Sequence, residues 1–222
     1  MKATTYKTSI FSILILSILT FLLIFLLYKF LFPTKKLPVY NPSNFNMELV
    51  DSTVQKINKG HKIAEFKLLN QNGETITSNN FKGKIYVADF FFTRCTTICP
   101  VMTSNMKTVQ DAFLNNDQVM FLSHSVTPDI DSVSVLRAYA DKKGVIDGKW
   151  HITTGDKKHI YELARKSYFA VLEEGDGGLQ DFVHTEIFTL VDKDKQIRGN
   201  YDGTDKEDIQ RLIADIKILL KE

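Results

Sequence analysis

No charged residue occurs between Thr8 and Tyr28, and Ile, Leu and Phe fill most of that stretch. No other feature limits the fold of this chain so strongly. A segment this long and apolar fits a helix that crosses the hydrocarbon of a bilayer and satisfies its own backbone there. A cleaved leader would have a shorter apolar core and end in small residues. Here the stretch runs into Tyr28-Lys-Phe-Leu-Phe-Pro33, which is bulky, and no cysteine lies near it to carry a lipid. The expected organisation is a short N-terminus at 1–7, an uncleaved membrane anchor at 8–32, a tether rich in Pro, Asn and Ser at 33–60, and a folded domain at 61–222. Lys2 and Lys7 precede the span while Lys29, Lys35 and Lys36 follow it, so charge counting leaves the orientation open.

The remaining chain suffices for one domain with its own core. A formal net charge of +2 and the lack of a Lys/Arg stripe give no basis for nucleic-acid binding. Strands are expected at 63–69, 75–77, 85–92, 119–126 and 150–153, with a closing hairpin at 187–191 and 196–201. Asn72-Gly73 marks a hairpin turn between the first two. Helices are expected at 101–115, from an Asp131 cap to Lys143 with Gly144 after it, and from an Asp156 cap onward. A last helix follows a Thr204/Glu207 capping pair and carries the stripe Ile209, Leu212, Ile213, Ile216, Leu219 and Leu220. Strands alternating with helices and ending in an antiparallel pair predict an α/β domain: a mixed central sheet flanked by helices, with an extra N-terminal hairpin. A thioredoxin-like fold fits that order.

The two cysteines of the chain stand in Phe92-Thr-Arg-Cys-Thr-Thr-Ile-Cys-Pro100, after the most apolar strand and at a helix start. Free N–H groups and the positive dipole end at a helix N-terminus stabilise thiolates, and Arg94 adds a nearby positive charge. If the helix includes both positions, the spacing puts both sulfurs on one face. Their Cα atoms would then lie about 6 Å apart, near enough for a disulfide. Buried core residues, a structural disulfide, a redox pair and a soft-metal site all remain open on spacing alone.

Two thiolates leave room for a further ligand, and imidazole suits copper. His184, at the mouth of the closing hairpin and after the glycine-rich run Glu173-Glu-Gly-Asp-Gly-Gly178, is the best placed of the five histidines. That run is expected to be mobile. Taken by itself, a lone His at a strand start is more often structural, and His124 is a weaker candidate. Met102 and Met106 share a helical face with Cys99, where core packing is the ordinary role. There is no phosphate loop, dinucleotide fingerprint or His-Glu-x-x-His motif.

In combination these residues resemble the Sco family, also called SenC or PrrC. The resemblance runs from about residue 63 to the C-terminus. It rests on Phe-Phe-Phe-Thr leading into Cys-x-x-x-Cys-Pro, on Ser125-Val-Thr-Pro-Asp-Ile-Asp131, on Trp150-His-Ile-Thr-Thr-Gly155, and on His184-Thr with Asp-x-x-x-x-Ile-Arg-Gly and Tyr-Asp-Gly after it. It implies a thioredoxin-like fold with a long insertion and one copper, Cu(I) or Cu(II), per chain, held by Cys95, Cys99 and His184. It implies a domain outside the inner (cytoplasmic) membrane, on its periplasmic face, with the N-terminus in the cytoplasm. The implied partners are the cytochrome c oxidase subunit that carries the binuclear copper site and a copper donor or thiol reductant. The implied role is that of a metallochaperone. A thiol–disulfide reductase using Cys95 and Cys99 is the alternative, with a thiol peroxidase or a copper or redox sensor behind it. Where the family often has Asp before the Pro of Ser-Val-x-Pro, this chain has Thr127, while Asp131 fits a later acidic position.

Overall fold

The computed structural model describes residues 3–31, 35–44, 60–171, 175–178 and 180–222. The chain forms two units, Met1–Lys36 and Leu37–Glu222. In the first, helix α1 (Ala3–Leu31) contains a 22-residue stretch, Ile10–Leu31, that is long and apolar enough to cross a membrane. Its hydroxyls turn back on the helix: Ser17 donates to the Leu14 carbonyl at 2.8 Å and Thr20 to that of Leu16 at 3.0 Å. Phe32 and the residues 1–2 of the expected N-terminus lie outside the described residues.

The second unit is built on the two apolar runs of its middle. Strands β3 (Ile85–Phe91) and β4 (Val119–Ser125) are buried along their whole length and pair in parallel, with Ile85 opposite Val119 and Phe91 opposite Ser125. Strand β5 (Trp150–Thr154) pairs parallel to β4. The hairpin β1 (Lys67–Asn70) and β2 (Thr75–Thr77) closes one edge against β5, and β6 (Ile187–Val191) and β7 (Ile197–Asp202) close the other against β3. The resulting order is β2-β1-β5-β4-β3-β6-β7. A parallel centre with antiparallel edges is the mixed sheet of a thioredoxin-like fold. The first strand is shorter than the apolar pattern of 63–69 predicts, because Ile63 and Phe66 pack in the core without their segment joining the ladder.

Helices α2 (Cys99–Ala112), α3 (Val133–Lys143) and α5 (Lys206–Leu219) supply one core with the odd-numbered residues of β3 and β4. Met102 and Met106 are fully buried there, which is the packing role expected of them. The other face of the sheet is covered by α4 (Lys157–Glu162), the π turn Leu163–Ser167 and the chain after it, around Ile160, Tyr161 and Tyr168. Gly144 ends α3 at φ 73°, and Asp156 caps α4, both as the sequence predicts.

Two caps differ by one residue. Ser132 caps α3, accepting from the Val135 N–H, and Asp205 caps α5, accepting from Glu207 and Asp208. Asp131 is drawn instead to the loop that carries the cysteines, and Thr204 donates to Asp202 at 2.6 Å. The tether expected over 33–60 is described at 35–44 and 60, and residues 33–34 and 45–59 lie outside the described residues. At 37–41 the chain is fastened to the domain. Leu37 enters the core, Tyr40 donates to the Ile197 carbonyl at 2.8 Å, and Arg198 holds the Leu37 and Pro38 carbonyls at 2.7 and 3.0 Å.

Candidate metal and redox centre

Strand β3 delivers the chain to the C-terminal edge of the sheet, where a tight turn follows. The Cys95 N–H donates to the Phe92 carbonyl at 3.2 Å. Helix α2 begins only at Cys99, with Pro100 in its first turn where a missing N–H costs nothing. Cys95 therefore precedes the helix rather than lying on it. Its sulfur takes one of the N–H groups that a helix start leaves unpaired, that of Cys99, at 3.4 Å. Thr97 Oγ1 lies 3.6 Å from the same sulfur.

This arrangement makes the pair unequal. Burial alone would raise the Cys95 thiol, but hydrogen bonds from Cys99 and Thr97 outweigh it and bring it from 9.0 down to about 7. Burial pushes the Cys99 thiol up to about 12, against a hydrogen bond at Phe92, and the neighbouring Cys95 adds to the rise. The helix terminus thus stabilises a thiolate at Cys95, the outer sulfur, and not at the cysteine that begins the helix. Arg94 is exposed beside them. Both cysteines are free thiols. Two sulfurs, one of them ionising near neutrality, can ligate a soft metal or exchange with a disulfide.

His184 lies in the segment before β6 and is exposed. Its neighbours are tied down on both sides. Asp181 forms a buried two-pronged ion pair with Arg165, at 2.7 Å on each oxygen, and also accepts from the Gly177 N–H at 2.7 Å. Val183 is buried, and Thr185 donates to the Ala170 carbonyl at 2.6 Å. The two candidate segments meet where Phe92 packs edge-on against Phe182, with ring centroids 5.2 Å apart. The structure thus brings the two cysteines together and lays the His184 segment beside their turn. Among the described residues, no three His, Cys, Asp or Glu side chains are grouped to hold a metal ion. Glu173 and Glu174 of the glycine-rich run lie outside the described residues.

His124 is sealed on the opposite face of the sheet among Phe66, Phe90 and Tyr168. Burial, with a smaller contribution from His159, lowers it to about 3, so it stays neutral and away from the sulfurs. Sequence reasoning missed Asp131 as a neighbour of the cysteine turn, although its place in Ser-Val-x-Pro-x-x-Asp was a signal.

The SCO1/SenC family profile matches residues 54–221. A SCO1 protein homolog of Bacillus subtilis is 31% identical over 159 residues, covering 71% of this chain and 82% of its own. The structure of BsSco, described as a member of the Sco family of cytochrome c oxidase assembly proteins with a disulfide switch, is 30% identical with a TM-score of 0.61. It covers 72% of this chain and 93% of that one. ScoI of Bradyrhizobium japonicum with copper bound is 22% identical with a TM-score of 0.56, covering 72% and 99%, a likeness that carries the fold.

Proposed function

The chain belongs to the SCO1/SenC family, and from that premise we propose that it is a membrane-anchored copper metallochaperone acting in the assembly of a respiratory cytochrome c oxidase. Copper is its cargo, one ion per chain, with Cys95, Cys99 and His184 as ligands. The observation that carries the reading is the cysteine corner, where Cys99 N–H approaches Cys95 Sγ to 3.4 Å and favours a thiolate there. Thiolate sulfur is the ligand type that Cu(I) prefers, and imidazole completes a low-coordinate site that can release its metal by ligand exchange. In this reading the exposed His184 imidazole is the third ligand, offered from a segment that the Phe92–Phe182 contact lays beside the cysteine turn. Helix α1 anchors the chain in the inner membrane with its N-terminus in the cytoplasm. The domain stands on the outer face, near the oxidase subunit that receives copper at its binuclear site.

The inequality of the two cysteines favours a second reading, in which the pair reduces the partner's copper-binding cysteines. The Cys95 thiolate would attack a partner disulfide, forming a mixed disulfide and releasing one partner thiol. Cys99 would then attack Cys95 sulfur, releasing the second partner thiol and leaving the Cys95–Cys99 disulfide, with two electrons transferred.

Anaerobic Cu(I) binding by the reduced domain from Lys35 onward tests both. One tightly held copper, weakened in Cys95→Ala, Cys99→Ala and His184→Ala alike, is expected of the metallochaperone. Retention indifferent to His184, with disulfide reduction intact in that variant, would leave only the reductase.

A further inference from the structure

Asp131 is fully buried, and no ion pair to it occurs among the described residues. A carboxylate accepts hydrogen bonds and cannot donate them when ionised, so burial demands donors on its oxygens. Four converge on it. Thr93 supplies two, its N–H at 3.2 Å and its hydroxyl at 2.5 Å. Ser125, at the end of β4, donates at 2.6 Å, and Thr127 donates at 3.0 Å.

These donors come from the turn after β3 and from the end of β4 and the loop after it, at the same edge of the sheet. Thr93 is the second residue of the turn that the Cys95 N–H closes on Phe92, so it stands between the strand and the sulfur. Ser125 lies opposite Phe91 in the parallel ladder, and Val126 N–H donates to the Phe91 carbonyl at 2.9 Å. Asp131 therefore fastens the start of the cysteine turn to the neighbouring strand. Thr127 fits the same pattern. Its hydroxyl feeds Asp131, whereas an acidic side chain there would place a second carboxylate against the first. Helix α3 does not need Asp131 as a cap, because Ser132 fills that place.

We infer that Asp131 is a positioning residue for the Cys95–Cys99 centre, acting through Thr93. It fixes the turn so that Cys95 sulfur meets the Cys99 N–H, and it thereby stabilises the reduced, metal-ready pair over the disulfide. The inference rests on the cysteines being the working groups, under either reading of the function.

The test uses the full chain in detergent, with Asp131→Asn, Thr93→Val and Thr93→Ser beside wild type. Leu68→Ala, in the core on the other face of the sheet, supplies a destabilised control. Two quantities are read: Cu(I) affinity by competition with a chromophoric chelator, and the dithiol–disulfide equilibrium in a glutathione buffer. Asp131→Asn and Thr93→Val are expected to weaken Cu(I) binding about 10–100-fold, the usual range for outer partners of a metal site. They should also raise the oxidation constant about tenfold, or about 30 mV for a two-electron couple. Thr93→Ser, which keeps the hydroxyl, should restore both, and Leu68→Ala should leave both as in wild type. Wild-type values in Asp131→Asn and Thr93→Val would overturn the inference, as would an equal loss in Leu68→Ala, which would mark the effect as general destabilisation. If wild type itself holds no copper, the metallochaperone reading fails, and the glutathione equilibrium alone decides whether Asp131 positions the pair.

Discussion

Asp89 places a carboxyl inside a strand whose every other residue is apolar or aromatic. Ser123 donates to it and in turn accepts from the Trp150 indole at 2.8 Å, so one polar chain threads the core beneath α2. Burial pushes the Asp89 carboxyl from 3.8 up to about 7, and the Ser123 bond only partly opposes this. Between those two values the folded chain keeps a proton that the unfolded chain has lost. Stability from this group is therefore complete below pH 3.8 and declines as pH rises through about 7. Asp89→Asn removes the ionisation while keeping an acceptor for Ser123. The variant should be more stable than wild type at pH 8, on the order of 1–3 kcal/mol, and should lose that advantage by about pH 4. Urea unfolding at both pH values measures this, and an advantage equal at both would exclude ionisation as its source. His124 contributes a slope of the opposite sign, since a neutral buried imidazole costs stability as pH falls from 6.5 toward about 3. Comparing variant and wild type at one pH cancels it.

At the scale of elements, the chain at 37–41 belongs to the domain as firmly as a strand does. It contributes a buried Leu37, a bridge from Tyr40 to Ile197, and two carbonyls held by Arg198, whose guanidinium also pairs with Asp192 and Glu222. A fragment that starts at His61 leaves the Leu37 slot empty and Arg198 short of partners. It should be less stable than one that starts at Lys35 by about 2–4 kcal/mol, from one buried leucine and the lost hydrogen bonds. Matching urea midpoints for the two fragments would show that the strap adds nothing. The sequence at 33–60 hides this contact because Leu37 and Tyr40, set among prolines and asparagines, establish no periodicity, and the partners of this stretch lie some 160 residues away in sequence. Periodic elements were legible for the converse reason. The α5 stripe and the run in β3 state their own burial, and Gly144 states its turn. The Asp131 and Thr204 caps were misplaced by one residue because each side chain has a better partner outside its helix. At the site, the strand-to-helix corner could be read from sequence, but the inequality of the cysteines depends on α2 starting at Cys99 and not before. The setting of His184 depends on the Arg165–Asp181 pair, which joins the turn after α4 to a loop with no pattern of its own.

For the whole molecule, the proposed function divides the work of the two units between address and chemistry. Residues 10–31 are exposed on α1, and the fastened chain at 37–41 begins a few residues after the helix ends. No described cysteine or histidine lies in α1, so the helix adds no candidate ligand; under the proposed function its contribution is to confine the domain to the membrane that holds the oxidase. That division makes a prediction about deletion. The full chain should sediment with membranes and resist alkaline extraction, as a spanning helix does. A chain starting at Lys35 and exported by an unrelated cleavable leader should be soluble and bind Cu(I) with unchanged stoichiometry. Its support of oxidase assembly, read as copper content and oxidase activity of the membranes, should fall sharply at natural expression levels and recover on overproduction. Recovery is the informative arm, because raising the bulk concentration replaces what tethering supplies only if the anchor acts through concentration. A soluble chain that never restores the oxidase, however abundant, would give α1 a direct part in partner recognition.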